Sequence, residues 1–179
     1  GLIDRLPTGF VDDLRNTTNN VGMLETSGLE VGGSYAFSTA YGDFALGVDA
    51  RSLDSYDVTL ANGDLQMAAG YVLGSSRNNF VDFKMNTTLS WTMGDMFASA
   101  TLQHFGEGKG VANNPPTMTS AGLVTETERD IEAITYLDVQ YGMVLPEYNA
   151  TVRVGIDNVL DEDPTFFPET FANDFDPAY

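Results

Sequence analysis

Apolar residues recur at every second position over six stretches of this chain. From Met23 to Ser38, Leu29, Val31, Tyr35 and Phe37 fall on one side, with Thr26, Gly28, Glu30, Gly32, Ser34 and Ala36 on the other. Beyond Thr39-Ala40-Tyr41-Gly42 the alternation restarts, with Phe44, Leu46, Val48 and Ala50 opposed to Asp43, Ala45, Gly47, Asp49 and Arg51. The third stretch is the cleanest. There Val81, Phe83, Met85, Thr87, Leu89 and Trp91 alternate with Asp82, Lys84, Asn86, Thr88, Ser90 and Thr92. After Met93-Gly94-Asp95, Met96, Ala98, Ala100 and Leu102 oppose Phe97, Ser99, Thr101 and Gln103. The fifth stretch sets Ile131, Ala133, Leu137, Val139 and Tyr141 against Asp130, Glu132, Asp138 and Gln140, with Ile134 and Tyr136 out of step. The sixth sets Val152, Val154 and Ile156 against Thr151, Arg153, Gly155 and Asp157. A period of two marks a strand with one apolar face. The expectation is an all-β, antiparallel, up-and-down meander of about six long strands.

Short and long connections alternate between these stretches, at about 4, 26, 3, 24 and 6 residues. The short turns therefore gather at one edge of the sheet and the long loops at the other. Within the first long loop, Asn62-Gly63 signals a turn and Leu65–Leu73 a minor hairpin arm. Residues 1–22 are irregular, with a turn at Pro7-Thr8-Gly9 and a short extended piece near Phe10–Leu14.

Two environments can cover the apolar faces: a second sheet, as in a soluble sandwich, or lipid, as in a membrane barrel with a polar interior. Alternating runs of about 9–11 residues match a tilted membrane-crossing strand, whereas sandwich strands are typically about 5–6 residues. Sorting of loops by length is also a barrel property. Aromatic residues flank the short turns: Tyr35, Phe37, Tyr41 and Phe44 at the first, Trp91 and Phe97 at the second, Tyr141 and Tyr148 at the third. Rings gathered at one level suggest an interfacial girdle. These features favour a segment of a transmembrane β-barrel, incomplete in this chain. A soluble all-β binding module with an acidic surface is the alternative.

Composition narrows this further. The chain has 179 residues, 42% of them hydrophobic, which suits one β domain over residues 1–179 and excludes a disordered chain. No apolar run is long enough for a membrane helix, which leaves a barrel open. There is no Cys, hence no disulfide framework. The net charge is −18 with only 8 Lys and Arg, so nucleic acid is not expected as a partner. The chain begins at Gly1 without a signal peptide, which suggests a cut end.

Residues with chemical potential are few. His104 is the only histidine, and no Ser or Asp is tied to it by spacing, so a hydrolase rests on it alone. Gly106-Glu107-Gly108-Lys109-Gly110 lacks the phosphate-loop spacing and reads as a flexible loop. Asp157, Asp161, Glu162, Asp163, Glu169, Asp174 and Asp176 give an acidic tail, but Pro164 breaks a calcium-loop pattern, and a solvated loop is the simpler reading. Asn-x-Thr sequences at Asn16, Asn86 and Asn149 lie in or near strands and carry no weight. The polar faces carry Glu30, Asp49, Arg51, Asp82, Lys84, Asp138 and Arg153. The expectation is no enzyme, no catalytic residue, no metal and no cofactor, with ligand-binding residues unassigned.

Gly155-Ile156-Asp157-Asn158-Val159-Leu160-Asp161-Glu162-Asp163-Pro164 resembles the G-v-x-N-l-f-D-x-x-P-P motif near the C-terminus of TonB-dependent outer-membrane receptors. Phe175-Asp176-Pro177 is similar to the segment that precedes the family's closing strand. Gly1-Leu2-Ile3-Asp4-Arg5 with Thr8-Gly9, and Asn20-Val21-Gly22 with Thr26-Ser27-Gly28-Leu29-Glu30, resemble features ahead of a late barrel strand. The resemblance covers the chain but only the C-terminal part of such a receptor. The family's plug, its TonB-contacting box and its last strand have no counterpart here. It implies a 22-stranded barrel wall in a Gram-negative outer membrane. It also implies energised uptake of a scarce nutrient, of the siderophore-iron, corrinoid or oligosaccharide class. The implied partners are outer-membrane lipid, a small-molecule nutrient, and TonB through the plug region.

Overall fold

A computed structural model describes residues 3–5, 7–8, 11–14, 22–74 and 78–164, the side chains being described for 7–8, 22–74 and 79–164. The strands are β1 (Ile3–Arg5), β2 (Val11–Leu14), β3 (Met23–Thr39), β4 (Gly42–Thr59), β5 (Leu65–Met67), β6 (Tyr71–Leu73) and β7 (Asn78–Asn79). They continue as β8 (Phe83–Met93), β9 (Met96–Phe105), β10 (Gly108–Val111), β11 (Thr117–Thr119), β12 (Gly122–Val124) and β13 (Arg129–Ile131). The last two are β14 (Ile134–Leu145) and β15 (Ala150–Ile156). A single 3-10 turn, Pro146–Tyr148, joins them, and no α-helix occurs among the described residues.

The fold is all-β. β3, β4, β8, β9, β14 and β15 pair each with the next, all antiparallel, in one sheet that curls into a half-barrel. These are the six expected long strands in the expected order. The expected total of about six is too low, because the long loops fold into short strands of their own. β3, at 17 residues, matches the stretch Met23–Ser38 to within one residue, whereas β4, at 18, runs past the end of its alternation at Arg51. Both run past the apolar rows toward the long-loop end, where the register shifts between Ser27 and Gly28.

The Asn62-Gly63 turn forms as expected. Gly63 takes a left-handed φ of 87°, and its N–H donates to the Leu60 carbonyl at 2.9 Å. β5 then folds back on β4. The expected arm Leu65–Leu73 is not one strand. It breaks at Gly70, whose φ is 79°, and its halves enter different sheets. Gly108–Val111 is likewise a strand rather than a flexible loop. Its glycines allow close approach, since a Cβ on Gly108 would lie 3.1 Å from the Gly70 carbonyl oxygen. The fifth stretch divides too. Ile131 belongs to β13, and β14 starts at Ile134. The break does not bring Ile134 and Tyr136 into step: within β14 both stay on the polar face with Asp138 and Gln140, paired with Phe105 and Gln103.

The core lies in these loops, not beneath the long strands. β13, β10, β6 and β7 form a small sheet in which β6 and β10, from different loops, pair in parallel. Val72, Val81 and Ile131 pack together, each 2% exposed, with Val111 buried nearby. Backbone bonds join the two loops: Gly74 N–H to the Val111 carbonyl at 2.9 Å and Met67 N–H to the Pro116 carbonyl at 2.9 Å. Across β6, β10 and β13, Tyr71 donates to Glu128 at 2.9 Å, and Lys109 pairs with Glu128 at 3.5 Å and Asp130 at 3.0 Å. The two long loops are thus one folded cap. Deleting the Ile131 side chain to Ala is expected to cost about 2–5 kcal/mol of cap stability. Hydrogen exchange should then accelerate in β6 and β10 together, and acceleration in only one of the two loops would contradict a shared core.

Candidate functional site

Directly paired residues share a face, so the register assigns every side chain of the long strands. One face holds the rows Val31–Ala50–Met85–His104–Thr135, then Val48–Thr87–Leu102–Leu137, then Tyr35–Leu46–Leu89–Ala100–Val139–Ile156. Nearest the short turns come Phe37–Phe44–Trp91–Ala98–Tyr141–Val154 and Met93–Met96–Met143–Val152. No Asp, Glu, Lys or Arg occurs in these rows. The face is also uncovered: Tyr35 is 68% exposed, Val154 66%, and Val31 and Ile156 59% each. A large, exposed, uncharged patch marks an interaction surface.

Its lower border is aromatic. Phe37 stacks on Phe44 with centroids 5.2 Å apart and on Tyr35 at 5.7 Å. Trp91 Nε1 donates to the Tyr41 carbonyl at 2.6 Å. Indole N–H and phenol groups here have polar outlets beside an apolar surface, as amphipathic rings do at interfaces.

The opposite face is polar. Its rows are Glu30–Arg51–Lys84–Phe105–Ile134, Gly32–Asp49–Asn86–Gln103–Tyr136 and Gly47–Thr88–Thr101–Asp138, followed by small and hydroxylated residues. At the short-turn end Phe97 lies over Gly142, where a Cβ would overlap the ring, and Arg153 sits 5.2 Å from the Phe97 centroid. Lys84 lies 5.0 Å from the Phe105 centroid. Near the long-loop end, a groove of about 710 Å³ opens between β3–β4 and Asn79–Val81, with Tyr56 and Phe80 tilted together at 4.3 Å. It meets a second of about 500 Å³ at Glu30 and Arg51.

The structure brings Glu30, Asp49, Arg51 and Lys84 together on this inner face, as the alternation implied. Asp82 departs from it. β8 starts one residue later, the Asp82 carbonyl accepts from Leu53 N–H at 2.7 Å, and the carboxylate sits against Gly70 in the cap. Burial, with Asp54 and Glu107 nearby, raises its pKa. Asp138 is structural: its carboxylate accepts from Asn158 N–H at 2.8 Å. His104 faces the apolar side, 2.8 Å from Thr135 Oγ1 and 5.9 Å from the Phe83 ring. Among the described residues no cluster of three His, Cys, Asp or Glu could hold a metal. Glu169, Asp174, Asp176 and Asn16 lie outside the described residues.

Asn158 closes its own loop. It holds a left-handed φ of 52°, its Nδ2 donates to the Glu162 carbonyl at 2.9 Å, and its Oδ1 accepts from Glu162 N–H at 3.1 Å. Sequence reasoning missed the groove wall of Tyr56 and Phe80, whose meeting depends on the loop fold. The aromatic Phe97 on the otherwise polar side of its stretch, with Gly142 on the polar side of the next long strand, could have signalled the overlay.

No family model, curated protein or solved structure matches this chain. Its function is therefore argued from geometry.

One titrating contact ties the segment 112–126 of the cap. Burial pushes the Glu126 carboxyl up, but hydrogen bonds from Asn113 N–H, from Asn114 Nδ2 and N–H, and from Ala112 outweigh it and hold the pKa below the ordinary 4.5. A depressed carboxyl pKa stabilises the fold above its unfolded value and loses that contribution as pH falls through the folded one. The segment 112–126 should therefore loosen as pH drops below about 4.5. In Glu126→Gln that step should vanish. Hydrogen exchange against pH measures it, and an unchanged acid step in the variant would remove Glu126 from this role.

Proposed function

We propose that this chain forms wall and long-end loops of a TonB-dependent outer-membrane receptor. Such a receptor takes up a scarce nutrient, of the siderophore-iron, corrinoid or oligosaccharide class, across a Gram-negative outer membrane. The observation that carries the membrane part is the outer face. Six strands in one register present no charged side chain over their apolar rows, and nothing among the described residues covers them. A soluble module would need a second layer there to bury Leu46, Leu89 and Val154. Lipid satisfies the same face without one.

Two further observations support the reading. The backbone of each inner strand is paired on both sides, which a hydrocarbon surrounding demands. The aromatic row Phe37–Phe44–Trp91–Tyr141 lies at one border of the band, where an interfacial girdle belongs. The receptor assignment rests on the resemblance at Gly155–Pro164, whose Asn158 clasp accounts for the asparagine that the motif requires. On this reading the partners are outer-membrane lipid, a nutrient ligand, and TonB through a plug region. The loops and plug capture ligand, and TonB-driven rearrangement of the plug admits it.

Depth gives a graded test. Leu89 lies in the middle row, and Phe83 lies at the long-loop end, beyond the row of Val31, Ala50 and Met85. In phospholipid vesicles, Leu89→Arg should lower unfolding free energy by about 2–4 kcal/mol and Phe83→Arg by only about 0–1 kcal/mol. Urea titration followed by tryptophan emission reads both. Equal costs at the two depths would sink the lipid-facing assignment.

A further inference from the structure

We propose that the inner face over β3 and β4 is a binding groove for a neutral, extended oligosaccharide. This deepens the receptor reading, because it rests on that face lining the interior of the wall. The two cavities, of about 710 and 500 Å³, are continuous through Glu30 and Arg51. Together they run along β3 from Thr26 to Gly32. Six residue steps of strand span about 20 Å. The site is a trough, too long for a single compact ring and open along its length.

Its chemistry is amphipathic along that trough. At the cap end the Tyr56 and Phe80 rings, 4.3 Å apart, form an apolar wall. At the other end Glu30, Arg51, Asp49, Asn86 and Lys84 supply donors and acceptors on three adjacent strands. Two cations stand against two carboxylates, so the lining is balanced in charge. Among the described residues no hydrogen bond or ion pair engages Glu30, Asp49 or Arg51, and all three are exposed. They are groups with unused hydrogen-bonding capacity, held in position by strand register.

A sugar fits this arrangement. Its ring faces present C–H groups suited to an aromatic wall, and its rim carries hydroxyls that donate to carboxylates and accept from guanidinium and amide. A ligand of net charge would leave two of the four charges opposed by like charge. A polyanion would meet, in addition, a protein of net charge −18. An extended neutral chain of sugars avoids both penalties and uses the full trough.

The test is isothermal titration of the full chain, folded in detergent, with linear neutral gluco-, xylo- and manno-oligosaccharides from mono- to hexasaccharide. At least one series should bind, with affinity rising with chain length. Phe80→Ala and Arg51→Gln should each weaken binding about tenfold or more, a loss of about 1.4 kcal/mol. Arg51 is exposed and unbonded, so Arg51→Gln keeps the fold even where Phe80→Ala disturbs the cap, and circular dichroism checks both. No binding across the panel overturns the proposal, and so does binding that both variants leave unchanged. The receptor reading is judged separately by the vesicle measurement. A chain that inserts in lipid but binds no sugar loses only this inference. A water-soluble chain that binds sugar through Arg51 keeps it and loses the membrane.

Discussion

The antiparallel ladder, held in register across six long strands, is the constraint on which the rest depends. Side chains alternate with a period of two, so a slip of one residue would move Leu46 and Leu89 to the polar face and put Asp49 and Lys84 on the apolar one. Through the apolar rows no slip occurs: β4 pairs with β8 from Asp43–Thr92 to Ser52–Phe83 without interruption, and β8 with β9 from Lys84–Phe105 to Met93–Met96. The one register shift in the long strands falls at Ser27/Gly28, beyond those rows. A bulge costs a ladder bond and turns the strand. On the proposed membrane reading, water outside the band can satisfy the freed groups, whereas hydrocarbon inside it could not. Position and energetics agree.

The same logic decides where stability resides. The long strands bury little on either face; of the buried hydrophobic residues, Ala68, Val72, Leu73, Val81, Val111 and Ile131 sit in the cap and only Ile134 starts a long strand, among the described residues. In water this would be an unbalanced arrangement, with large apolar faces exposed and the core placed to one side. On the proposed membrane reading lipid reverses that judgement, since the apolar rows then find their solvent. The cap alone must satisfy the rules of a soluble protein, and it does so with a small core, the Tyr71–Glu128–Lys109–Asp130 chain and the Glu126 clasp. On the proposed membrane reading, two solvents divide one chain at the level of Ser52 and Phe83.

What was legible in the sequence follows from that division. The wall was readable because its signal is local: Phe83 to Trp91 declares its two faces without reference to any other residue. The short turns and Asn62-Gly63 were readable for the same reason. The cap was not. β6 and β10 are short, carry no period, and pair in parallel across nearly forty residues of chain, so only their tertiary contact reveals them. Gly106–Gly110 looked loose because glycines usually mean freedom; here they allow one backbone to approach another. Of the inner site, Glu30, Asp49, Arg51 and Lys84 were assignable by alternation. Tyr56 and Phe80 were not, because a bulge and a loop bring them together, and Asp82 was misplaced because β8 begins at Phe83, two residues after its alternation starts at Val81.

The motif that suggested a family carries geometry rather than chemistry. Asn158 must sit at positive φ, where asparagine is tolerated better than most residues. It must also donate to the Glu162 carbonyl and accept from the Glu162 N–H at once. A carboxylate at this position could only accept, and would set its charge against the Glu162 carbonyl. The carboxamide is the one short side chain that meets both demands and the backbone requirement. Asp161, also at positive φ with 56°, returns its N–H to the Asn158 carbonyl at 3.0 Å and completes the turn. The turn is tied to the wall by Asp138, which accepts the Asn158 N–H, and by Leu137, whose carbonyl accepts the Val159 N–H at 2.7 Å. Such a motif fixes how the chain leaves the last described strand and holds its direction at the long-loop end, which is a property of the wall and independent of what the interior binds.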